Sequence, residues 1–560
     1  MTRPRVTRYG LAVMGDRRPS RSSICALVLV ALMGFSLVAH GAAFERHLPL
    51  QDPDEEFFVE PAVRMAATGD LNPRWFGHPG STVIYPVAGL IHVWDAVLHD
   101  GPILGSNPML ERRFASSPTP FYLIGRVWSL FFAIASIPLV FALGRRAFNR
   151  RIVGLAAATI VAVLPYVIHH GRIARTDSPA TAFGLLALYL CVRAWQAPRL
   201  RWWLLSGAGV GLAVASRYFM VTLVPALLAS AVVPLRRDRR RAVRASVVAV
   251  VTSAVAFLVA TPYALLDFAT LRGDISAEAN LERDIGSGLS PAGNAWFYLT
   301  EALPDAVSWP VYLAALVGIA VIVVSTVRSR PRRPYRLMLV GTFALFIVAI
   351  SASKWHWQRW TVPILPLLAV FAAVAVSTVA DLVDARAPRT FRARLLVPVA
   401  LVVLLALVPL SGIAETNRFD NAATTGSLAR QWVQQEVPRG SAVAQTPDAF
   451  NLPPWSIAPV GQGIEIDYHL DPSRPLAEYR RAGVDYVVTT AGAAFSFMTR
   501  PKRFPDQAAF FTELTCETRL VANFARRDDR VGNGVSIYRL DRPPKKLLDV
   551  LCSQEAPNRA

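Results

Sequence analysis

The segment Asp52–Glu56, which directly follows the first apolar run, carries four carboxylates within five residues. Asp52 can cap a short helix that has Pro53 at its first position and Glu55 at its third. Asp54 has no such duty, and Asp177 is a second acid that lies at the end of an apolar run. A carboxylate in such a place can accept a proton from a hydroxyl group or hold a divalent cation. The simpler alternatives are a solvated helix-start acid at Asp54 and a helix cap at Asp177.

Basic side chains lie at the ends of several other apolar runs. Arg126 lies inside one, where a charged side chain is costly and is a functional candidate unless it reaches the interface. Arg217 lies between two runs, and Lys354 and Arg359 belong to the cluster Lys354–Trp360. Guanidinium groups at a headgroup layer can grip two phosphate oxygens at once. A cluster of Trp and basic residues is also typical of an ordinary interfacial belt, and His78 could bind a phosphate or a metal ion.

The composition indicates a membrane protein, because 53% of the residues are hydrophobic, only 18% are charged and the mean hydropathy is +0.36. The formal net charge is +20, but nearly half of the 59 Lys and Arg residues lie in six short connections between apolar runs. These connections alternate along the chain, as the positive-inside rule requires of cytoplasmic loops. The charge therefore indicates topology, and we expect no nucleic-acid partner.

The apolar runs predict a polytopic α-helical membrane protein with about 11 spans. We interpret the first, residues 24–44, as a retained span, since it is long enough to cross and its basic front end places the N-terminus in the cytoplasm. The expected parts are a cytoplasmic basic N-terminus (1–22), a transmembrane domain (23–413) and an extracytoplasmic domain (414–560). The further spans are predicted at 121–143, 152–168, 180–192, 203–216, 219–235, 245–264, 306–327, 337–352, 362–383 and 395–413.

Two long external loops are predicted at 44–119 and 265–304. The first should hold a short acidic amphipathic helix and a second one, Thr82–Leu98, lying in the headgroup layer. The second loop is polar, and its residues Gly286, Gly288 and Gly293 are typical of a mobile lid.

The composition changes after about residue 415, where helix and strand patterns alternate. We predict helices at 427–436 and 476–481 and strands at 441–445, 484–489 and 535–540, hence a small α/β domain. Cys25 and Cys191 lie in apolar runs and are expected to pack there. Cys516 and Cys552 lie in the part predicted outside the cytoplasm, where a disulfide is permitted but not required.

The arrangement resembles the GT-C fold glycosyltransferases that use polyprenyl-phosphate sugars, including protein O-mannosyltransferases and lipid A aminoarabinose transferases. The similarity covers about residues 24–385 and depends on order and spacing more than on any single motif. It rests on Asp54-Glu55 after the first span, on His78-Pro79 through Tyr85-Pro86, on Arg126 within Gly-Arg-Val-Trp-Ser, on Asp177, and on Arg359 with Pro363 and Pro366. Family members often have Lys-Pro-Pro where this chain has His78-Pro79-Gly80.

The resemblance implies an inverting membrane glycosyltransferase that moves a hexosyl or pentosyl group from a polyprenyl-phosphate donor to a hydroxyl acceptor on a protein, lipid or cell-envelope glycan. It assigns the catalytic site to Asp54, Glu55 and Asp177, with Asp54 as the base and Asp52 as the alternative register. It assigns donor phosphate binding to a set of basic residues: Arg126, Arg217, Lys354, Arg359 and His78. No cofactor is certain, and a divalent ion near Asp54, Asp177 and His78 stays open.

The implied location is the bacterial cytoplasmic (inner) membrane, with the chemistry at its outer face. Secondary transport is one alternative, but the predicted spans have no midplane carboxylates and no inverted repeat is apparent. Another membrane-embedded envelope transferase is the second alternative. No phosphate-binding loop, zinc-type Cys/His spacing or Gly-x-Ser-x-Gly elbow occurs in the sequence.

Overall fold

A computed structural model describes residues 21–44, 53–77, 79–285, 289–328, 334–386, 391–445, 465–467, 470–527, 530–532 and 534–541. Three positions named above, Asp52, His78 and Cys552, lie outside this part of the chain, as do Gly286 and Gly288 of the predicted lid. Cys516 is disulfide-bonded, and Cys25 and Cys191 are free thiols.

The described residues confirm a multi-pass helical membrane protein. Nine helices are long and apolar enough to cross a membrane, and a tenth span would be a helix pair bent by 63° at Leu164–Pro165. The bend follows from Pro165, which cannot donate a backbone hydrogen bond and restricts the residue before it. The nine are Ser23–Gly41, Ser81–His99, Thr119–Phe148, Asp177–Gln196, Tyr218–Leu235, Arg239–Ala260, Trp309–Arg328, Gln358–Ala385 and Leu396–Asn421.

The remaining helices of this region either are shorter or less apolar than these nine spans, or are the individual helices that form or contain a span. Leu200–Ser216 packs between Asp177–Gln196 and Arg239–Ala260, and Tyr335–Ser351 is apolar. The rest are Arg21–Gly41, of which the first span is part, Glu56–Thr68, Met109–Ser116, Arg151–Val163, Pro165–Gly171, Val224–Val232, Tyr263–Leu266, Phe268–Ile285, Pro291–Phe297, Leu303–Val307, Leu365–Arg386 and Phe391–Asn421, with 3₁₀ turns at Pro53–Glu55, Tyr218–Leu223, Val233–Leu235 and Gln358–Ile364 and a π-helix at Tyr298–Ala302.

Both predicted external loops are mostly helical. The predicted amphipathic stretch 82–98 is the helix Ser81–His99, and its length and composition suit a span, where we expected a helix lying in the headgroup layer. Its residues Val83, Val87 and Ile91 are buried against the helix Glu56–Thr68, so its apolar side faces protein. In the described part of 265–304, helices account for most of the residues, among them Phe268–Ile285.

The chain after the last span forms a small α/β domain, as predicted. Its five-stranded sheet has the order β3-β2-β4-β7-β5, in which β2 pairs in parallel with β3 and β4 while β7 is antiparallel to β4 and β5. A second pair, β1 and β6, is parallel. The strands are β1 Ala423–Thr424, β2 Ala442–Gln445, β3 Glu465–Asp467, β4 Tyr486–Thr490, β5 Arg519–Phe524, β6 Arg530–Val531 and β7 Val535–Arg539, and the helices are Thr425–Glu436, Leu476–Arg481, Ala491–Met498 and Pro505–Glu517.

Two apolar clusters position the residues discussed next. The larger one is built by the spans from Thr119–Phe148 onward and includes Ile160, Leu188 and Phe371. The smaller one joins the helices Glu56–Thr68 and Ser81–His99 to the first turn of Thr119–Phe148. Burial of this apolar surface is the main force that holds the acidic segment against the long spans.

Candidate active site

Asp54 lies in a single 3₁₀ turn, Pro53–Glu55, that runs directly into the helix Glu56–Thr68. Pro53 suits the first position of such a turn because its φ angle is fixed and its missing N–H is not needed there. The acids of this turn face different surroundings. The side chain of Asp54 is 19% exposed, whereas Glu55 is 0% and Glu56 5% exposed. Of these three, Asp54 is therefore the acid most open to a substrate.

The carboxylate of Asp54 accepts a hydrogen bond from Arg359. Arg359 is on the 3₁₀ segment Gln358–Ile364, just after the Trp-rich connection, and its guanidinium lies 5.4 Å from the ring centroid of Trp357. Among the described residues, its Nε is buried and has no hydrogen-bond partner. Because an unpaired buried donor is costly, this N–H is suited to an anion that arrives later.

Asp177 is the first residue of the helix Asp177–Gln196 and is 1% exposed. Its Oδ2 accepts hydrogen bonds from Arg175 Nη2 at 3.0 Å and Nε at 3.2 Å, and its Oδ1 accepts one from Arg217. The residue at the cap position, Thr176, makes no side-chain cap hydrogen bond. The contacts of Asp177 are thus with arginines, which favours an electrostatic role over the capping alternative.

Arg217 connects the Asp177 group to the Asp54 group. Burial, together with the positive charges of Arg359 and Arg175, lowers the pKa of Arg217 to about 9, while the charge of Asp54 opposes this effect. Three guanidinium groups and two carboxylates thus lie in one electrostatic neighbourhood. Positive charge is in excess there, so an anion would stabilise the group.

Glu55 and Arg126 form a separate, fully buried ion pair. Arg126 Nε and Nη2 donate to Oε1 and Oε2 of Glu55, both at 2.8 Å, and Arg126 Nη1 donates to the carbonyl of Phe44 at 3.0 Å. The backbone N–H of Ala174 also donates to Glu55 at 2.8 Å. This bidentate pair joins the Asp54 turn, the helix Thr119–Phe148 and the connection before Asp177. The catalytic role of Glu55 and the phosphate role of Arg126 stay predictions, but their contacts favour a positioning role.

The remaining predicted site residues are placed less directly. Lys354 is exposed in the connection that leads to Arg359. His78 is not among the described residues, but Phe76 is held beside the site, since its carbonyl accepts a hydrogen bond from Tyr218 Oη at 3.0 Å. The residues that the structure describes contain no group of three or more His, Cys, Asp or Glu side chains suited to a metal. A metal held by Asp54, Asp177 and His78 therefore stays a prediction.

A second polar cluster, which the sequence reading missed, lies at the same end of the spans. Arg172 donates to Asp420 and Asn417 on the helix Phe391–Asn421 and, through Nε, to the carbonyl of His40 at 3.0 Å. His169 Nδ1 lies 2.6 Å from Asp420. Arg172 and Asp420 are both buried. Nothing in the sequence near Asp420 signals this pairing with Arg172.

Comparison with known proteins agrees with this architecture. Residues 123–265 match the family model described as dolichyl-phosphate-mannose-protein mannosyltransferase, and this stretch contains Arg126, Asp177 and Arg217. No curated protein matches the sequence.

The solved structures that share the fold include the following two. ArnT from Cupriavidus metallidurans, bound to undecaprenyl phosphate, is 14% identical over 94% of this chain and 100% of that chain, with a TM-score of 0.53. The archaeal oligosaccharyltransferase AglB from Archaeoglobus fulgidus, in complex with an inhibitory peptide and a dolichol-phosphate, is 13% identical over 89% and 73% of the two chains, with a TM-score of 0.52. The predicted fold class is therefore confirmed: the chain shares the GT-C fold of these two structures, and over residues 123–265 it is similar to the dolichyl-phosphate-mannose-protein mannosyltransferases.

Proposed function

We propose that the protein moves a sugar from a polyprenyl-phosphate donor to a hydroxyl-bearing acceptor at the outer face of a bacterial cytoplasmic membrane. The observation that carries the proposal is the contact between Asp54 and Arg359. It places a carboxylate that can take a proton beside a cation that can hold a phosphate. The GT-C fold and the family match over residues 123–265 support the same reaction class.

In this mechanism Asp54 accepts the proton of the acceptor hydroxyl while the hydroxyl oxygen attacks the anomeric carbon of the donor sugar. The bond between that carbon and the phosphate oxygen breaks, and its electron pair leaves with the phosphate. Attack from the face opposite the phosphate inverts the anomeric centre. Asp54 is suited to this step because it is the partly exposed acid of its turn.

The phosphate gains one negative charge as it leaves, so cations that face it stabilise the transition state more than the bound donor. Arg359 offers a buried N–H that has no partner in the described chain. Arg217 is buried beside the positive charges of Arg359 and Arg175, and burial first and these charges second lower its pKa to about 9. We assign the leaving phosphate to these two groups, with Lys354 and His78 as further contacts.

Asp177 has a positioning role in this proposal. Its two oxygens are used by Arg175 and Arg217, which fixes the Arg217 guanidinium without removing its net charge from the site. Glu55 and Arg126 act indirectly, through Asp54, because their buried ion pair holds the Asp54 turn against the long helix Thr119–Phe148. A donor phosphate would have to break that pair to reach Arg126.

The orientation of the site is argued from the basic connections. The segment Arg145–Arg151 begins in the last turn of the helix Thr119–Phe148, at the opposite end of that helix from Arg126. If the positive-inside rule holds, that end is cytoplasmic and the Asp54 end faces outward. Polyprenyl-phosphate sugars would then meet the enzyme at the outer leaflet.

The test uses the full-length protein in lipid nanodiscs with a panel of radiolabelled polyprenyl-phosphate sugars and membrane extract as the acceptor source. Release of polyprenyl phosphate by the wild type that is lost in Asp54→Asn supports the proposal. Asp70→Asn is the matched control, because Asp70 also pairs with an arginine, Arg74, but at an exposed position. Normal turnover by Asp54→Asn rules out Asp54 as the base, and parallel reactions with a chelator test the metal prediction.

A further inference from the structure

A cavity of about 1160 Å³ lies beside the candidate active site and has no part in the mechanism above. It is bounded by the short helix Pro165–Gly171, by the segment 297–310 and by the outer part of the helix Phe391–Asn421. It is large enough for several sugar rings or for an equivalent stretch of another ligand. Its walls carry both charged groups and exposed rings.

The cavity and the phosphate site meet at two consecutive residues, Gln358 and Arg359. Gln358 lines the cavity and donates to Asp305 Oδ2 at 2.6 Å and to the carbonyl of Ala302 at 3.2 Å. Arg359, the next residue, belongs to the candidate active site, because it contacts Asp54. A ligand in the cavity would therefore lie next to the residues that carry out the transfer.

The charge of the cavity is opposite to that of the phosphate site. Among the described residues, its lining includes the carboxylates Glu301, Asp305 and Glu415 and one guanidinium, that of Arg418. A negatively charged donor phosphate is disfavoured by such a wall. The lining instead suits a neutral ligand with many hydroxyl groups, because each carboxylate can accept strong O–H···O⁻ hydrogen bonds.

Two residues of the lining have buried polar atoms without a hydrogen-bond partner among the described residues. His170 is 6% exposed and lines the cavity, yet neither of its ring nitrogens has a hydrogen-bond partner within the described chain. It also lies within electrostatic reach of Arg175, Arg217 and Arg359, so it is close to the transfer site as well as part of the cavity lining. Ser308, with φ 72°, also lines the cavity and has a buried hydroxyl without a partner among the described residues.

Aromatic side chains complete the lining. Trp309 is 55% exposed at the start of its span, and Tyr166 packs its ring at 4.5 Å from that of His170. The flat apolar face of an aromatic ring can pack against the C–H groups on the face of a sugar ring. The neighbouring carboxylates can accept hydrogen bonds from the hydroxyl groups at the edge of that ring. A plain lipid tail would offer no hydrogen bond to the carboxylates, His170 or Ser308.

We infer that this cavity binds the acceptor and that the acceptor is a carbohydrate, whose reactive hydroxyl is directed past His170 toward Asp54. The inference deepens the proposed function and rests on it. It gives His170 and Ser308 the partners that they lack, and it separates the neutral acceptor from the anionic donor by charge. A peptide acceptor is the competing outcome of the test below.

The first measurement needs no donor. Saturation-transfer NMR on the full-length protein in nanodiscs follows binding of octyl glycosides of hexoses and pentoses, below their micelle concentration, and of a Ser/Thr-containing peptide. We expect glycoside binding that weakens about tenfold or more in Trp309→Ala and in His170→Phe, while binding of undecaprenyl phosphate is unchanged. Trp296→Ala is the matched control, since Trp296 is 69% exposed and is not part of the lining.

The second measurement adds the donor panel and scores transfer to the same acceptors. Glycosylated octyl glycoside with a raised KM in both variants supports the inference. Three results overturn the inference, even if donor is consumed. They are transfer to the peptide alone, no binding of any glycoside, and glycoside binding that neither lining variant changes. Glycoside binding in the cavity without consumption of any donor supports a carbohydrate site and counts against the proposed sugar transfer instead. Because Trp309 is exposed, its variant tests the inference even if His170→Phe does not fold.

Discussion

Arg359 and Asp54 are 305 residues apart in the sequence, yet Arg359 Nη1 donates a hydrogen bond to Asp54 Oδ2. Asp54 comes from the turn after the first span, and Arg359 comes from the 3₁₀ segment that begins the span Gln358–Ala385. The contact thus brings an early and a late segment of the membrane domain together at the candidate site. It also means that an incoming phosphate must share Arg359 with Asp54.

Replacing Arg359 tests this shared use. In Arg359→Gln we expect turnover to fall by about 10²-fold or more, because a cation that stabilises the leaving phosphate is lost. Release of polyprenyl phosphate in nanodiscs measures the effect. Arg150→Gln is the control, since Arg150 pairs with Asp381 in a half-exposed bridge away from the site. Equal rates in Arg359→Gln and the wild type would remove Arg359 from the mechanism.

The buried pair of Glu55 and Arg126 predicts a loss of stability rather than a selective loss of donor binding. Arg126→Met leaves a buried carboxylate without its bidentate partner, which costs about 3–5 kcal/mol in comparable cases. Thermal unfolding in detergent should show a lower Tm for Arg126→Met and for Glu55→Gln, with part of the loss recovered in the double variant Glu55→Leu/Arg126→Met. An Arg126→Met protein with normal Tm and no donor binding would restore the phosphate role.

Arg217 predicts a pH dependence. Its pKa is lowered to about 9, mainly by burial, so the guanidinium loses its charge on the alkaline side at a lower pH than an ordinary arginine. Undecaprenyl phosphate binding should therefore be strong below that pH and weaken as the pH rises through about 9. The measurement is the Kd from about pH 7 to 10. In Arg217→Gln the binding should be weaker throughout and this step should vanish, and an unchanged step would assign it to another group.

The cluster at Asp420 predicts that two aspartates on neighbouring helices differ greatly in their effect on stability. Asp420→Asn leaves the buried guanidinium of Arg172 without its charge partner, so the free energy of unfolding should fall by about 3 kcal/mol or more. Asp381→Asn breaks only the exposed bridge to Arg150 and should change it by less than about 1 kcal/mol. Comparable Tm values for the two variants would contradict this account.

Much of the fold could be predicted because the signals are local. Apolar runs of span length and alternate basic connections are properties of continuous segments, and the helix Leu476–Arg481 was predicted with both of its ends. The helix Ser81–His99 was predicted, but its packing against the helix Glu56–Thr68 was not. An amphipathic pattern does not show whether the apolar face of a helix contacts lipid or protein. The helix Pro505–Glu517 was missed because its apolar positions do not form a clear stripe.

The site could be predicted only in part, since its pairs are not local. The cost of a charge inside a span made Arg126 a candidate, but the sequence cannot show that its partner is Glu55, 71 residues away, rather than a phosphate. The same holds for Arg217 and Asp177, which are 40 residues apart. Residue type and position relative to the membrane narrow the choice of candidates, and the tertiary contacts decide which of them face a substrate.

The helix Phe391–Asn421 also determines where the C-terminal domain can be separated from the membrane domain. The domain boundary predicted at 413/414 falls inside that helix, before Asn417 and Asp420, which hold Arg172. A chain shortened at that boundary would keep nearly all of its apolar length but would leave a buried guanidinium without its acidic partner. Exchange of the C-terminal domain between relatives should therefore use a junction after Asn421, so that the last span travels with its final turn intact.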